Sequence, residues 1–168
     1  MVSFEQLFEV GESFADFARR GLAHELASVQ RVEQQLAEPE AISAATLARL
    51  AAITGRYHLL VAGEIWCPDC QLNVTALDFM CRRQGALQLA VISKGRAENH
   101  FAAQLGLARV PVPLVLVLDA QFALLGQFVE RPRAVVAGDA QVLAEYKAGL
   151  YLEAAMDDVL AIIEAAQG

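Results

Sequence analysis

Basic residues are scarce in this chain: thirteen lysines and arginines stand against twenty aspartates and glutamates, for a formal net charge of −7 over 168 residues. So few cations argue against a nucleic-acid partner, which would demand a basic face. Long apolar runs are missing too. LLVAGEIW (59–66) and PLVLVLD (113–119) each fall well short of the ~20 residues a membrane-spanning helix needs. The opening MVSFEQLFEV carries Glu5 and Glu9 and no basic stretch leading into an apolar core. No export signal is therefore expected, and the expected location is the cytoplasm, a reducing compartment. There is no internal repeat, low-complexity tract or Gly/Ser-rich linker, so residues 1–168 are expected to form one domain. Within it, 1–54 form an N-terminal helical extension, and 55–168 form a core with a C-terminal helix.

Cysteine and histidine are also few, three of each. Two of the cysteines lie in WCPDC, residues 66–70. Before this motif, HLLVAGEIW (58–66) reads as a buried strand through Leu59, Leu60, Val61 and Ile65. After it, Pro68 suits the first turn of a helix, where a missing N–H costs nothing. Leu72, Thr75, Ala76, Phe79 and Met80 continue one helical face. This places Cys67 at a helix N-terminus and Cys70 one turn in. Unpaired N–H groups and the positive end of the helix dipole favour a thiolate at Cys67.

Taken alone, a CxxC spacing fits a redox dithiol, half a zinc site or two buried apolar residues. The strand before, the helix after and Pro68 favour the dithiol. For zinc, the remaining ligands would be Cys81, His24, His58 and His100, and none makes a second close pair. Cys81 lies roughly 16 Å along the helix from Cys70. It reads as a small buried hydrophobe, with a resolving or regulatory thiol as the alternative. No metal and no cofactor are expected. In the dithiol reading Cys67 is the nucleophile and Cys70 resolves the mixed disulfide. Asp69 suits the first helical turn, but its charge opposes a thiolate nearby.

WCPDC after an apolar strand resembles the active site of the thioredoxin superfamily. The likeness covers about residues 55–130 and is greatest to bacterial thioredoxin-like proteins with an N-terminal helical extension. It implies an α/β thioredoxin-like fold, with a central mixed sheet of about four to five strands flanked by helices. It also implies a thiol–disulfide oxidoreductase acting on protein or low-molecular-weight disulfides and recharged by an electron-donating reductase. A cis-proline faces the dithiol in that family, and the matching residue is Pro113, with Pro111 as competitor. Val112 would then offer its backbone N–H and C=O to an extended substrate chain. Trp66 would either fix the active-site turn, or shield the dithiol and contact substrate, or do both. Thioredoxins proper carry a buried acid six residues before the first cysteine, where this chain has Val61. Glu64 is the candidate to handle that proton, or else an ordinary strand-end glutamate facing water. His58 begins the strand, roughly 30 Å of extended chain from the motif, too far to serve. The alternative to an enzyme is a binding or redox-sensing module that keeps the fold.

Elsewhere, ALQLAVISK (86–94) reads as a strand and GRAENHFAAQLG (95–106) as a helix capped at Gly106. Lys94 and Arg96 are either solvated surface or a help to partner choice. LVLVLD (114–119) and FALLGQFVE (122–130) read as a hairpin, with a bulge or close backbone approach at Gly126. Glu130, Arg131 and Arg133 form an exposed exit loop. Residues 139–166 are helical, with Asp139 as N-cap and a break at Gly149; the first part should cover the sheet. At the other end, SFADFARRGLAHELASVQRVEQQL (13–36) reads as helix, and Ser43 starts another after Pro39. This extension serves packing and solubility, or else a homodimer contact or a lid near the dithiol.

Overall fold

Tyr57–Ala62 form β1, six consecutive buried residues at the centre of a four-stranded sheet. The computed structural model describes residues 1–168. Parallel to β1 on one side runs β2 (Leu87–Ile92), in register from Tyr57 opposite Leu87 to Ala62 opposite Ile92. On its other side lies antiparallel β3 (Leu114–Leu118), followed by antiparallel β4 (Leu124–Val129) at the edge. The order β2-β1-β3-β4 makes the sheet mixed. β1 and β3 are covered on both faces, so they read as unbroken apolar runs, whereas edge strand β4 is mostly exposed or half-buried.

Alternate side chains sort onto the two faces. Leu59, Val61, Val115 and Val117 enter the larger core beneath α5 (Pro68–Arg83) and α9 (Leu152–Gln167). Leu60, Ala62, Leu114, Leu116 and Leu118 enter a smaller one with Leu7, Ala97 and Phe101. That face is closed by α1 (Phe4–Val10), α6 (Lys94–His100) and the turns after α6. The expected helix 95–106 is therefore shorter: Phe101 leaves the helix and is fully buried.

Three other readings of the chain change. The strand before the motif stops at Ala62 rather than Trp66, because the chain turns there: Cys67 N–H donates to Glu64 C=O at 3.1 Å. The helix over 13–36 is two helices, α2 (Phe14–Arg19) and α3 (Ala23–Ala37). They are separated at Gly21, and Leu22 N–H is capped by Glu25 Oε1 at 2.7 Å. Finally, the second C-terminal helix, not the first, covers the sheet. In α9, Met156, Val159, Leu160 and Ile163 recur at three- and four-residue steps, all essentially inaccessible, while α8 (Ala140–Lys147) buries only Tyr146. Gly149, at φ +86°, makes the break between them.

Several caps have the side chains the sequence offers. Ser43 Oγ accepts from Thr46 N–H at the start of α4 (Ala44–Ala51), and Asp139 Oδ1 accepts from Val142 N–H at the start of α8. The hairpin skips Leu125 opposite the Val117/Leu118 step, and a Cβ on Gly126 would lie 2.9 Å from Ile162 of α9. Residues 1–54 are part of the packed body. α3 lies along α5, Glu12 and Val91 exchange two backbone hydrogen bonds at 2.8 Å across the open edge of β2, and Gly21 abuts Ile65 of the motif loop.

Candidate functional site

α5 begins at Pro68 with Cys67 as its N-cap, and no side chain occupies the cap. The free N–H groups of the first turn are thus available to a sulfur. Cys67 is 6 % exposed and Cys70 1 % exposed, and both are free thiols. The two lie close enough for the Cys70 thiol to hydrogen-bond Cys67, which is the main reason the Cys67 pKa falls to about 7. Backbone N–H groups of Cys70 and Asp69 add to this, while burial and the Asp69 carboxylate oppose it. The Cys70 thiol is pushed far up, first by that same bond to Cys67, then by burial and the charge on Cys67.

Opposite Cys67, the peptide between Val112 and Pro113 is cis, and the protonated Cys67 thiol donates to Val112 C=O at 3.6 Å. Trp66, the first residue of the motif, is 59 % exposed. Pro111 and Val112, just before the cis-proline, are half-buried. The remaining candidates are dispersed. Glu64 Oε1 accepts from Lys94 N–H at 3.0 Å, at the start of α6. The part of Glu64 that acts on Cys70 is its backbone N–H, which favours the thiolate. Val61 is fully buried in the core below. His58 sits between Phe8 and Phe122, stacked on the latter at 4.0 Å, with Nδ1 3.0 Å from Asp119 C=O. Arg96 is exposed on α6, and Lys94 pairs loosely with Glu98 at 3.9 Å.

Asp69 has partners that its sequence position does not announce. Its Oδ1 accepts from Tyr146 Oη–H at 2.7 Å and from Arg131 Nε–H at 3.1 Å. Arg131 also lies over the Tyr146 ring at 5.7 Å. Arg131 is thus no exposed exit-loop residue but a half-buried partner of the motif. The hairpin register carries the signal: Leu114 pairs with Val129, and Glu130 N–H donates to Pro113 C=O at 2.8 Å, which brings Arg131 to the cis-proline end of the site. Asn73 Nδ2 completes the cluster, facing Asp69 C=O, Glu130 C=O and Tyr146 Oη at 2.9–3.0 Å. No group of three or more His, Cys, Asp or Glu side chains is arranged to hold a metal ion. No helix is long and apolar enough to cross a membrane.

A mixed four-stranded sheet with a CxxC pair at a helix start, faced by a cis-proline, defines a class of thiol-bearing α/β domains. A family model described as thioredoxin matches residues 11–142, and the chain belongs to that family. Two solved structures are similar to the chain over nearly its full length. A protein of unknown function from Pseudomonas aeruginosa is 56 % identical, with 99 % of each chain covered and a TM-score of 0.96. An HIV epitope-scaffold is 51 % identical, with 98 % of this chain and 99 % of that one covered and a TM-score of 0.93. No curated protein matches. Family and cysteine geometry together are compatible with redox function.

Proposed function

We propose that the protein is a thiol–disulfide oxidoreductase that reduces protein or low-molecular-weight disulfides through Cys67 and Cys70. The observation that carries this reading is the geometry of the pair: Cys67 stands at the start of α5 opposite the cis Val112–Pro113 peptide, with Cys70 one turn in and more deeply buried, an arrangement that lowers the Cys67 pKa and raises that of its partner. The Cys67 thiolate attacks one sulfur of the substrate disulfide. A Cys67–substrate bond forms, the substrate S–S bond breaks, and the first thiolate leaves. That step removes the charge on Cys67 that held the Cys70 proton in place. Cys70 then loses its proton more readily, helped by the Glu64 N–H, and attacks Cys67 Sγ. The second substrate thiolate leaves as the Cys67–Cys70 disulfide closes. Two electrons have passed from dithiol to substrate, and a dithiol reductase returns them.

In this cycle Val112 is the backbone contact for an extended substrate, and Pro113 keeps a strong donor away from the sulfurs. Trp66 offers an exposed apolar wall, which fits peptide disulfides. Pro68 fixes the helix start. The Glu64 carboxylate, which accepts from Lys94 N–H at the start of α6, is given no step in this cycle. The reducing cytoplasm suits such an enzyme.

Reduction of insulin disulfides by dithiothreitol, with and without the protein, tests the reading. Wild type accelerates it, Cys67→Ser removes the acceleration, and Cys70→Ser traps a mixed disulfide between Cys67 and the insulin chain. A fully folded wild type with no acceleration and no trapped adduct would leave a thioredoxin-fold binding or redox-sensing module as the better account.

A further inference from the structure

An acid between the two cysteines is chemically awkward, because a carboxylate beside Cys67 works against the thiolate that the helix start promotes. The Asp69 side chain is 18 % exposed and meets a guanidinium that is 35 % exposed, plus a phenol. Both reach the same oxygen, Oδ1. The phenol is itself oriented. Asn73 must turn Nδ2 toward the Asp69 and Glu130 carbonyls, since the reversed amide would set oxygen against oxygen. An amide nitrogen cannot accept a proton, so the Tyr146 hydroxyl, 2.9 Å from Nδ2, has only Asp69 to donate to. Burial and the Asp69 carboxylate hold the Tyr146 proton firmly in place.

We propose that Arg131 and Tyr146 form a clamp on the Asp69 carboxylate, and that as positioning residues they cancel its charge at the dithiol so that Cys67 can react as a thiolate. The charged and titratable groups around this turn are Asp69 and Cys70 on α5, Glu64 in the loop before it, Glu130 and Arg131 after β4, and Tyr146 on α8. Of these, Arg131 alone is cationic. The clamp reaches the motif from 62 and 77 residues downstream. Reactivity at the N-terminus of α5 therefore depends on how β4 and α8 are seated. The inference rests on the reading of Cys67 as the nucleophile.

The test is the pH midpoint of Cys67 in the reduced, full-length protein with Cys81→Ser, followed by thiolate absorbance at 240 nm and by iodoacetamide alkylation. Arg131→Gln should raise the midpoint by roughly half to one pH unit, a three- to tenfold loss of thiolate below it. Arg131→Lys, which keeps the charge without the planar fork, should recover much of the loss. Tyr146→Phe should shift the midpoint the same way by less; it keeps the ring, so it decides the matter should Arg131→Gln lose the fold. Asp69→Asn should lower the midpoint and make it insensitive to both other changes. Unchanged midpoints in Arg131→Gln or Tyr146→Phe, or shifts of equal size in the Asp69→Asn background, would overturn the proposal. The titration needs no turnover. Loss of insulin reduction with an intact clamp response would sink the enzyme reading alone, while normal reduction with no response would sink the clamp alone.

Discussion

Three cysteines lie on or against one helix, and its two ends treat them differently. At the start of α5, Cys67 meets free N–H groups and the Cys70 thiol, and its pKa falls to about 7. Near the other end, Cys81 has no such donors; burial first, with Asp78 adding, pushes its thiol up to about 12. Burial opposes ionisation at both ends. Burial is the leading cause at Cys81, whereas at Cys67 the hydrogen-bond donors aimed at the sulfur outweigh it.

The largest effect expected from this contrast is chemical. Near pH 7 the thiolate fraction at Cys67 should far exceed that at Cys81, because one pKa is lowered and the other raised. Limiting iodoacetamide with the reduced protein, mapped by mass spectrometry, should label Cys67 and leave Cys81 untouched; comparable labelling of both would break the comparison. Next comes the packing that both ends share. Leu77, fully buried midway along α5, should cost about 2–5 kcal/mol of stability as Leu77→Ala in urea unfolding, while the labelling order survives. If the order collapses with stability, the contrast belongs to the global fold rather than to the helix start.

The pH dependence is smaller and has a definite sign. A lowered Cys67 pKa means that thiolate accumulates as pH rises through about 7. Exchange rates should fall about tenfold per pH unit well below that point and level off above it. A midpoint still near the free-thiol value of about 8.5 would contradict the donor argument. The least effect belongs to Cys81→Ser: under about 1 kcal/mol of stability for a half-buried thiol, and no change in insulin reduction. A marked loss of reduction would make Cys81 a third redox partner.

Much of this was legible in local chemistry. Pro68 in a first turn, an apolar run before it and a three- to four-residue periodicity after it identify the strand, the helix and both cysteines. Gly149 and Asp139 mark a break and a cap by their own conformational preferences. The misread features depend on distant partners. Gly21 divides what its flanks propose as one helix, and the motif strand ends early because its last residues turn to present Cys67. The contact of the Glu64 carboxylate with Lys94 N–H at the start of α6 likewise joins residues 30 apart in the chain. Arg131 reads as a loop cation, and nothing in its local sequence marks Tyr146 as a partner of the motif. Their shared contact with Asp69 emerges only when the hairpin register and the turn into α8 are known.

Oxidoreductase activity requires Cys67 and Cys70 to form a working redox couple. The most direct measurement is the equilibrium between dithiol and disulfide in Cys81→Ser, by thiol trapping across defined dithiothreitol or glutathione ratios. A single reversible two-electron transition nearer the thioredoxin value of about −270 mV than the oxidant value of about −120 mV is the expected result. Two thiols that remain unlinked at every ratio would contradict it.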